Sequence, residues 1–213
     1  MKQLRIENSW PSRLWTPLRC VLLLIVALVQ PAHRLAAQQA SDFVGQLLVA
    51  MPEMKDPRFV ESVIYIVQHD REGTLGLLIN RPLARAPIED LIKGSGIDGK
   101  NGTREVTVHY GGPVNPRQGF VLHSNDFVLE NSKEVKDGIA MTSDARIVNE
   151  ISIGKGPRQF LLMIGYAGWA PGQLEEEIKA KSWFLIPADK DLIFDKKTEQ
   201  KWQAAMDKRQ IRL

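Results

Sequence analysis

An apolar run that leads directly into a glycine-rich segment restricts the fold of this chain more than any other feature. Residues Phe160–Ile164 have the composition of a buried strand, and the next segment, Gly165–Ile178, contains three glycines, a proline and three consecutive glutamates. Glycine permits a positive φ angle or the close approach of a second backbone. The pattern therefore predicts a strand that breaks sharply into a helix at Gly165.

Short strand candidates separated by glycine and proline precede this junction. Two apolar runs, Ser62–His69 and Thr74–Asn80, flank the loop Asp70–Gly73, which is typical of a hairpin inside a sheet. Antiparallel pairs come first and strand–helix alternation comes later, an order that predicts one α+β domain over residues 41–213. Further strands are predicted at 43–51, 106–110, 119–123, 139–141, 159–166 and 183–186, and helices at 87–93, at 143–151 with Ser143 or Asp144 as N-cap, at 172–181 and at 198–206.

The first 40 residues have the features of a targeting segment. Basic residues up to Arg19 are followed by the apolar run Cys20–Val29 and then by small residues near Ala37 and Ala40. Ten apolar residues suit a signal peptide better than a membrane span, which needs ~20. We therefore expect residues 1–40 to be a signal peptide or signal anchor. The protein would then be periplasmic or anchored in the inner membrane, in contact with the membrane only through this leader.

The charge of the chain is concentrated in the same segment. The chain has 28 basic and 25 acidic side chains, of which residues 1–40 hold five basic and one acidic. Residues 41–213 therefore have 23 basic and 24 acidic side chains, a net charge of −1. The body therefore lacks the basic excess of a polyanion-binding domain. The only cysteine of the chain, Cys20, lies in the leader, so the body has no disulfide, thiolate metal site or cysteine nucleophile.

Three histidines in the body, His69, His109 and His123, each stand at the end of a strand candidate. They lack the close ligand spacing of a zinc site, so we predict no metal site and no cofactor. We expect each histidine to bond a nearby backbone group. The polar cluster from His123 to Asp126 could instead hold a general base, which leaves open a hydrolase or transferase of unfamiliar type that uses these two residues.

Glycines, arginines and an aromatic residue at strand exits are the remaining candidates for a site. Arg81 precedes a proline and could clamp a carboxylate or phosphate from a rigid loop. Glu175–Glu177 are explained by the dipole at a helix N-terminus. Trp169 would pack in the core or line a groove. The predicted groove exposes backbone groups and takes a ligand through Arg81, Gly111, Gly112, His123, Trp169 and Gln173.

The order of several motifs resembles the YqgE/AlgH family of bacterial proteins. The motifs are Gly76–Pro82, Gly111–Val114, Gly119–His123 and Gly165–Glu175. The resemblance implies a compact α+β fold with a mixed, barrel-like β-sheet and short flanking helices. It also implies a link to transcriptional control, which is known for some members, and a cytoplasmic location. It assigns no catalytic residues.

The sequence thus favours a non-enzymatic binding or regulatory domain that recognises a small molecule or peptide. The alternatives are the hydrolase or transferase that uses His123 and Asp126, and a nucleic-acid-associated transcriptional regulator. An exported protein would not reach chromosomal DNA, so export would exclude the last alternative. The sequence contains no indication of an oligomeric state.

Overall fold

The computed structural model describes residues 43–94 and 104–210, which fold around one curled sheet. The predicted leader, residues 1–40, lies outside the described residues. None of the helices within the described ranges is both long and apolar enough to cross a membrane. The strands are β1 Gln46–Ala50, β2 Val63–Asp70, β3 Gly73–Leu78, β4 Pro82–Pro87, β5 Glu105–Tyr110, β6 Val114–Ser124, β7 Lys133–Lys136, β8 Ile139–Thr142, β9 Phe160–Trp169 and β10 Trp183–Pro187.

Short helices flank the sheet, and the C-terminal part of the described chain is helical. They are α1 Ile88–Gly94, α2 Arg146–Ser152, α3 Gln173–Lys179, a π-helix Asp191–Asp195, a 3₁₀ turn Thr198–Gln200 and α4 Lys201–Gln210.

The strand order is β10-β1-β2-β3-β9-β6-β8-β7, and β5 joins β9 to β4. Neighbouring strands are antiparallel except β5 and β9, which are parallel. The result is a curled antiparallel half-barrel with a few short helices. The predicted α+β class with a mixed, barrel-like sheet is confirmed, and so is the hairpin of β2 and β3.

The predicted break at Gly165 is wrong, because β9 continues through this residue to Trp169. On one edge of β9, residues Leu162–Ile164 pair with β5, whereas Ala167–Trp169 pair with β3. Gly165 lies between these two segments and has a φ of 72°. The glycine therefore lets a single strand bend and change partners along one edge, and this bend curls the sheet.

Gly111 and Gly112 cross β9 at this bend. The amide of Gly111 donates to the carbonyl of Ile164 at 2.8 Å, and its own carbonyl accepts from the amide of Leu78 at 3.0 Å. A Cβ atom at Gly112 would lie 2.1 Å from the carbonyl carbon of Tyr166. Only residues without a side chain allow two backbones to pass this closely.

The core covers both faces of the central hairpin. Along β2, Val63, Tyr65 and Val67 are fully buried in the largest apolar cluster, while Ile64 and Ile66 are fully buried in a second cluster on the opposite face. This alternation follows from the two-residue period of a strand. The prediction that both hairpin faces are covered is confirmed. A third cluster holds α1 and α2 against β5, β6 and β9.

Two local predictions differ from the structure, and one strand was not predicted. The segment after Arg81 is not a rigid loop but strand β4, which pairs with β5. The sequence also gave no sign of β7, whose residues are mostly exposed. The N-cap of α2 is Ala145 rather than Ser143 or Asp144, because the helix begins at Arg146. Asp144 still contributes, since its Oδ1 accepts from the Arg146 amide at 3.0 Å.

Candidate functional site

A cleft of about 370 Å³ lies where β5 and the start of β9 meet the turn between the π-helix and α4. We call it the Lys201 cleft. β5 and β9 are neighbours in the sheet here, and their side chains form one wall of the cleft. Residues 194–201 form the other wall. The lining residues that matter for its chemistry are Arg104, Glu105, His109, Arg158, Gln159, Phe160, Asp195, Lys196 and Lys201.

Lys201 is the most unusual of these residues because it is a lysine with only 1% of its surface exposed. Its Nζ donates to the carbonyl of Ile193 in the π-helix. Burial lowers the pKa of Lys201 to about 8, and the nearby Asp195 carboxylate opposes this shift. Buried amines with lowered pKa values occur frequently at functional sites, and so do π-helical turns.

His109 lines the same cleft and is 5% exposed. Its Nδ1 lies 3.3 Å from the carbonyl oxygen of Leu162. Because a carbonyl only accepts, Nδ1 carries the proton and Nε2 is left as an acceptor. Burial lowers the pKa of His109, and the charge of Lys201 lowers it further, whereas the bond to Leu162 acts in the opposite direction. The imidazole is therefore neutral at pH 7.

The rest of the cleft carries more positive than negative charge. The guanidinium of Arg104 stands 5.3 Å above the ring of Phe160, which fixes it on the cleft wall. Arg158 is 88% exposed and places its Nε 3.2 Å from Asp126 Oδ2. Together with Lys196 and Lys201 these arginines make four cations, against two carboxylates, Glu105 and Asp195.

Both carboxylates of the cleft already have partners. Glu105 lies 3.7 Å from Arg85, outside the cleft, and Asp195 accepts two bonds from the Gln159 amide at 2.9 and 3.0 Å. The cleft therefore offers cationic donors to a ligand, a set that suits carboxylate or phosphate. Within residues 43–94 and 104–210, no group of three His, Cys, Asp or Glu side chains could hold a metal ion.

Arg81, Gly111 and Gly112 do not meet in an open groove. The Arg81 guanidinium donates to the carbonyl of Val60, which ties the residue before β4 to the loop between β1 and β2. Gly111 and Gly112 are buried at the backbone crossing with β9, so the backbone groups that we expected at the surface face the protein interior.

Trp169 and Gln173 belong to a hydrogen-bonded cluster around Glu177. Glu177 Oε2 accepts from the indoles of Trp169 at 3.0 Å and Trp183 at 2.8 Å. Gln173 donates to Glu177 Oε1 at 2.8 Å and accepts from the Ala170 amide at 3.0 Å. Trp169 is 6% exposed and packs in the core. The helix dipole alone therefore does not explain Glu177, which fixes α3 to β9 and β10.

His123 is fully buried, and its Nδ1 donates to the carbonyl of Ser124 at 2.9 Å. Its Nε2 has no hydrogen-bond partner among the described residues. Asp126 instead accepts from the Ser124 hydroxyl at 2.5 Å and pairs with Arg158. Burial acts to raise the pKa of Asp126, but these bonds outweigh it and the pKa is lowered. No hydrogen bond between His123 and Asp126 exists in the described part of the chain, so these residues do not form an acid–base pair there.

The expected backbone bonds of the strand-end histidines are confirmed for His109 and His123 but are wrong for His69. The Nδ1 of His69 bonds the Thr74 hydroxyl at 2.6 Å, and its Nε2 lies 3.4 Å from Glu175.

Sequence reasoning missed Lys201 and Arg104 and assigned His109 only a structural role. The residues around Lys201 have the pattern of a solvated helix, so the burial of this lysine becomes visible only in the structure. The sequence contained no signal for the opposite wall of the cleft, because β5 and α4 are almost 100 residues apart.

The sheet and its flanking helices define the class of this molecule: an α+β protein built on a curled antiparallel half-barrel. The chain belongs to the AlgH-like family, whose profile it matches over residues 47–213. The predicted resemblance is therefore confirmed.

Similar proteins and solved structures agree with this assignment. A UPF0301 protein of Methylococcus capsulatus is 40% identical over 78% of this chain and 91% of the relative, and one of Jannaschia sp. is 42% identical over 78% and 87%. The solution structure of the AlgH protein from Pseudomonas aeruginosa has a TM-score of 0.66, with 34% identity over 76% of this chain and 85% of that one. A crystal structure of a protein from Corynebacterium diphtheriae has a TM-score of 0.55 and 25% identity, with 70% and 77% covered.

Proposed function

We propose that this protein is a non-enzymatic binding domain whose Lys201 cleft takes a small molecule bearing a carboxylate or phosphate group. The observation that carries the proposal is a buried lysine in a cleft with four cations and two carboxylates, both of which are already bonded. A peptide with an acidic side chain or a free C-terminus presents the same chemistry, but 370 Å³ suits a single small group.

An anion would offset the cost of burying Lys201. Its ammonium has lost most of its hydration and, in the described chain, donates to the Ile193 carbonyl alone. A hydrogen bond between charged partners contributes about 1.5–3 kcal/mol, so pairing Lys201 with an anion gains both a bond and relief from desolvation. Arg104 at the side of the cleft would hold a remaining oxygen of the ligand, and Arg158 would do so through the guanidinium nitrogens other than the Nε that faces Asp126.

The test is a calorimetric titration of the full chain with inorganic phosphate and with malonate at pH 7. Lys201→Met keeps the length of the side chain and removes the charge. We expect affinity to fall about tenfold or more, the equivalent of one charged hydrogen bond. Lys155→Met, a change at an exposed lysine outside the cleft, should leave affinity unchanged.

Two results would overturn the proposal. One is the absence of saturable binding of either anion to the wild-type protein, and the other is equal affinity of wild type and a folded Lys201→Met variant. Binding should also weaken as the pH rises past about 8, because the Lys201 ammonium loses its proton there.

Export of the protein is a separate proposal that rests on the sequence of residues 1–40. Mass spectrometry of the mature N-terminus from fractionated host cells tests it. A periplasmic species that begins at residues 38–41 would support export, whereas a cytoplasmic species that begins near Val44 would contradict it and favour the regulatory alternative.

A further inference from the structure

A second cavity, of about 460 Å³, lies between α1, α2 and the sheet surface formed by β5, β9 and β6. We call it the Gly119 pocket. Its floor consists of side chains from the three strands, and its sides are formed by the two helices. Most of the lining is apolar, and it includes Leu91, Val108, Val121, Val148 and Leu162. The pocket does not share residues with the Lys201 cleft.

Gly119 leaves space in the floor of this pocket. A Cβ atom at Gly119 would meet one heavy atom within 4 Å, the carbonyl oxygen of Met163 at 3.9 Å. Gly119 does not have a positive φ, so its backbone would accept a larger residue. The sequence thus places a glycine where neither backbone strain nor crowding requires one, and the missing side chain enlarges an apolar cavity.

Arg117 supplies a positive charge at the same pocket. In a strand, residues two apart lie on one face, and Arg117, Gly119 and Val121 all line this cavity. Two carboxylates also lie at its edge, but each has a partner. Asp144 pairs with Arg146 at 2.5 Å and Asp90 with Lys93 at 3.5 Å. Arg117 forms no ion pair with any residue in the described ranges.

We propose that the Gly119 pocket binds a small molecule with an apolar body and one carboxylate, an aliphatic or aromatic monocarboxylic acid. The apolar lining takes the body of the ligand, and the carboxylate pairs with Arg117. The volume lies within the range of about 300–1,000 Å³ that is usual for small-molecule pockets. A single cation matches a monoanion, whereas the several cations of the Lys201 cleft match phosphate.

Octanoate is the probe for this site, and 1-octanol is its uncharged counterpart. Gly119→Leu fills the pocket and should lower octanoate affinity at least tenfold in a titration of the full chain. Gln118→Leu adds an apolar side chain at the preceding position of β6, which does not line the pocket. It should leave octanoate affinity unchanged.

Arg117→Gln tests the contribution of the positive charge to binding apart from that of the apolar contacts. We expect it to lower octanoate affinity five- to thirtyfold while leaving 1-octanol affinity unchanged. The proposal fails if octanoate shows no saturable binding to wild type, if folded Gly119→Leu binds it as wild type does, or if Arg117→Gln weakens both probes equally. Lys201→Met should not affect octanoate, and Gly119→Leu should not affect phosphate, so the two sites are tested independently.

Discussion

The carbonyl oxygen of Gly112 lies 2.4 Å from the position that a Cβ atom would occupy at Gly165. A real Cβ atom cannot stand there unless β9 moves away from the β5–β6 connection. Gly165 also has a φ of 72°, a region that other residues enter only at a cost. Gly165→Ala therefore combines backbone strain with a direct clash. We expect it to lower the free energy of unfolding by more than about 2 kcal/mol in urea titrations.

Gly154→Ala is the matched control for this prediction. Gly154 has a φ of 73°, but an added Cβ atom would meet nothing within 4 Å. Gly154→Ala should lower the free energy of unfolding only by the cost of a positive φ, about 1 kcal/mol. Equal losses for the two variants would mean that the backbone crossing adds nothing to the requirement for glycine.

Glu177→Ala should remove the acceptor shared by two buried indoles. Trp169 and Trp183 are 6% and 3% exposed, so their N–H groups would lose a bond without gaining water. Leaving a buried donor unpaired costs about 1–3 kcal/mol, and we expect a loss of roughly 2 kcal/mol in urea. Glu176→Ala, one residue earlier and exposed, should cost less than about 1 kcal/mol through the helix dipole. A Glu177→Ala variant as stable as Glu176→Ala would contradict this role.

The effect of Lys201 on the free energy of unfolding should depend on pH. Its folded pKa of about 8 is below the ordinary value of 10.5, so the unfolded chain binds more protons between these values. Stability therefore rises with pH in this window, and below it the full cost of charging a buried amine is present. The difference in unfolding free energy between wild type and Lys201→Met should change in favour of wild type, by on the order of 2 kcal/mol, from pH 8 to 10.5. A difference independent of pH would show that the amine is hydrated.

Asn80, two residues after the end of β3, should contribute to stability through two hydrogen bonds to the backbone. Its Oδ1 accepts from the Val63 amide at 2.9 Å, and its Nδ2 donates to the Glu61 carbonyl at 2.8 Å. Val63 is fully buried, so Asn80→Ala leaves an unpaired amide and should cost about 1–2 kcal/mol by thermal or urea unfolding. The control is Asn125→Ala, which removes one exposed bond to Glu134 and should cost less than about 0.5 kcal/mol.

Local patterns predicted those elements whose partners are close in sequence. The hairpin of β2 and β3 has a short turn and two apolar arms, so its signal lies within one stretch of chain. The parallel pairing of Val108 with Leu162 joins residues 54 positions apart, and no local pattern encodes such a pairing. Strand β4 shows no alternation, because Pro82 to Arg85 are all exposed. Residues 82–87 adopt an extended conformation because their backbone pairs with the edge of β5.

The candidate sites were harder to predict for the same reason. Gly112 and Gly165 have a positive φ, and Gly111, Gly112 and Gly165 all lie close to a second backbone, but which backbone approaches depends on tertiary structure. A glycine used for chain crossing and one used to open a surface look identical in sequence. Lys201 reads as a solvated helix residue until the π-helix and β9 cover it.

Because strand β9 borders β3, β5 and β6, it holds the two parts of the half-barrel together through a single stretch of backbone. Displacing β9 from the sheet breaks all three ladders together, so this strand cannot leave the sheet one partner at a time. The amide protons of Leu162, Met163 and Ile164 should thus exchange with solvent only through global opening, and the sheet behaves as one cooperative unit.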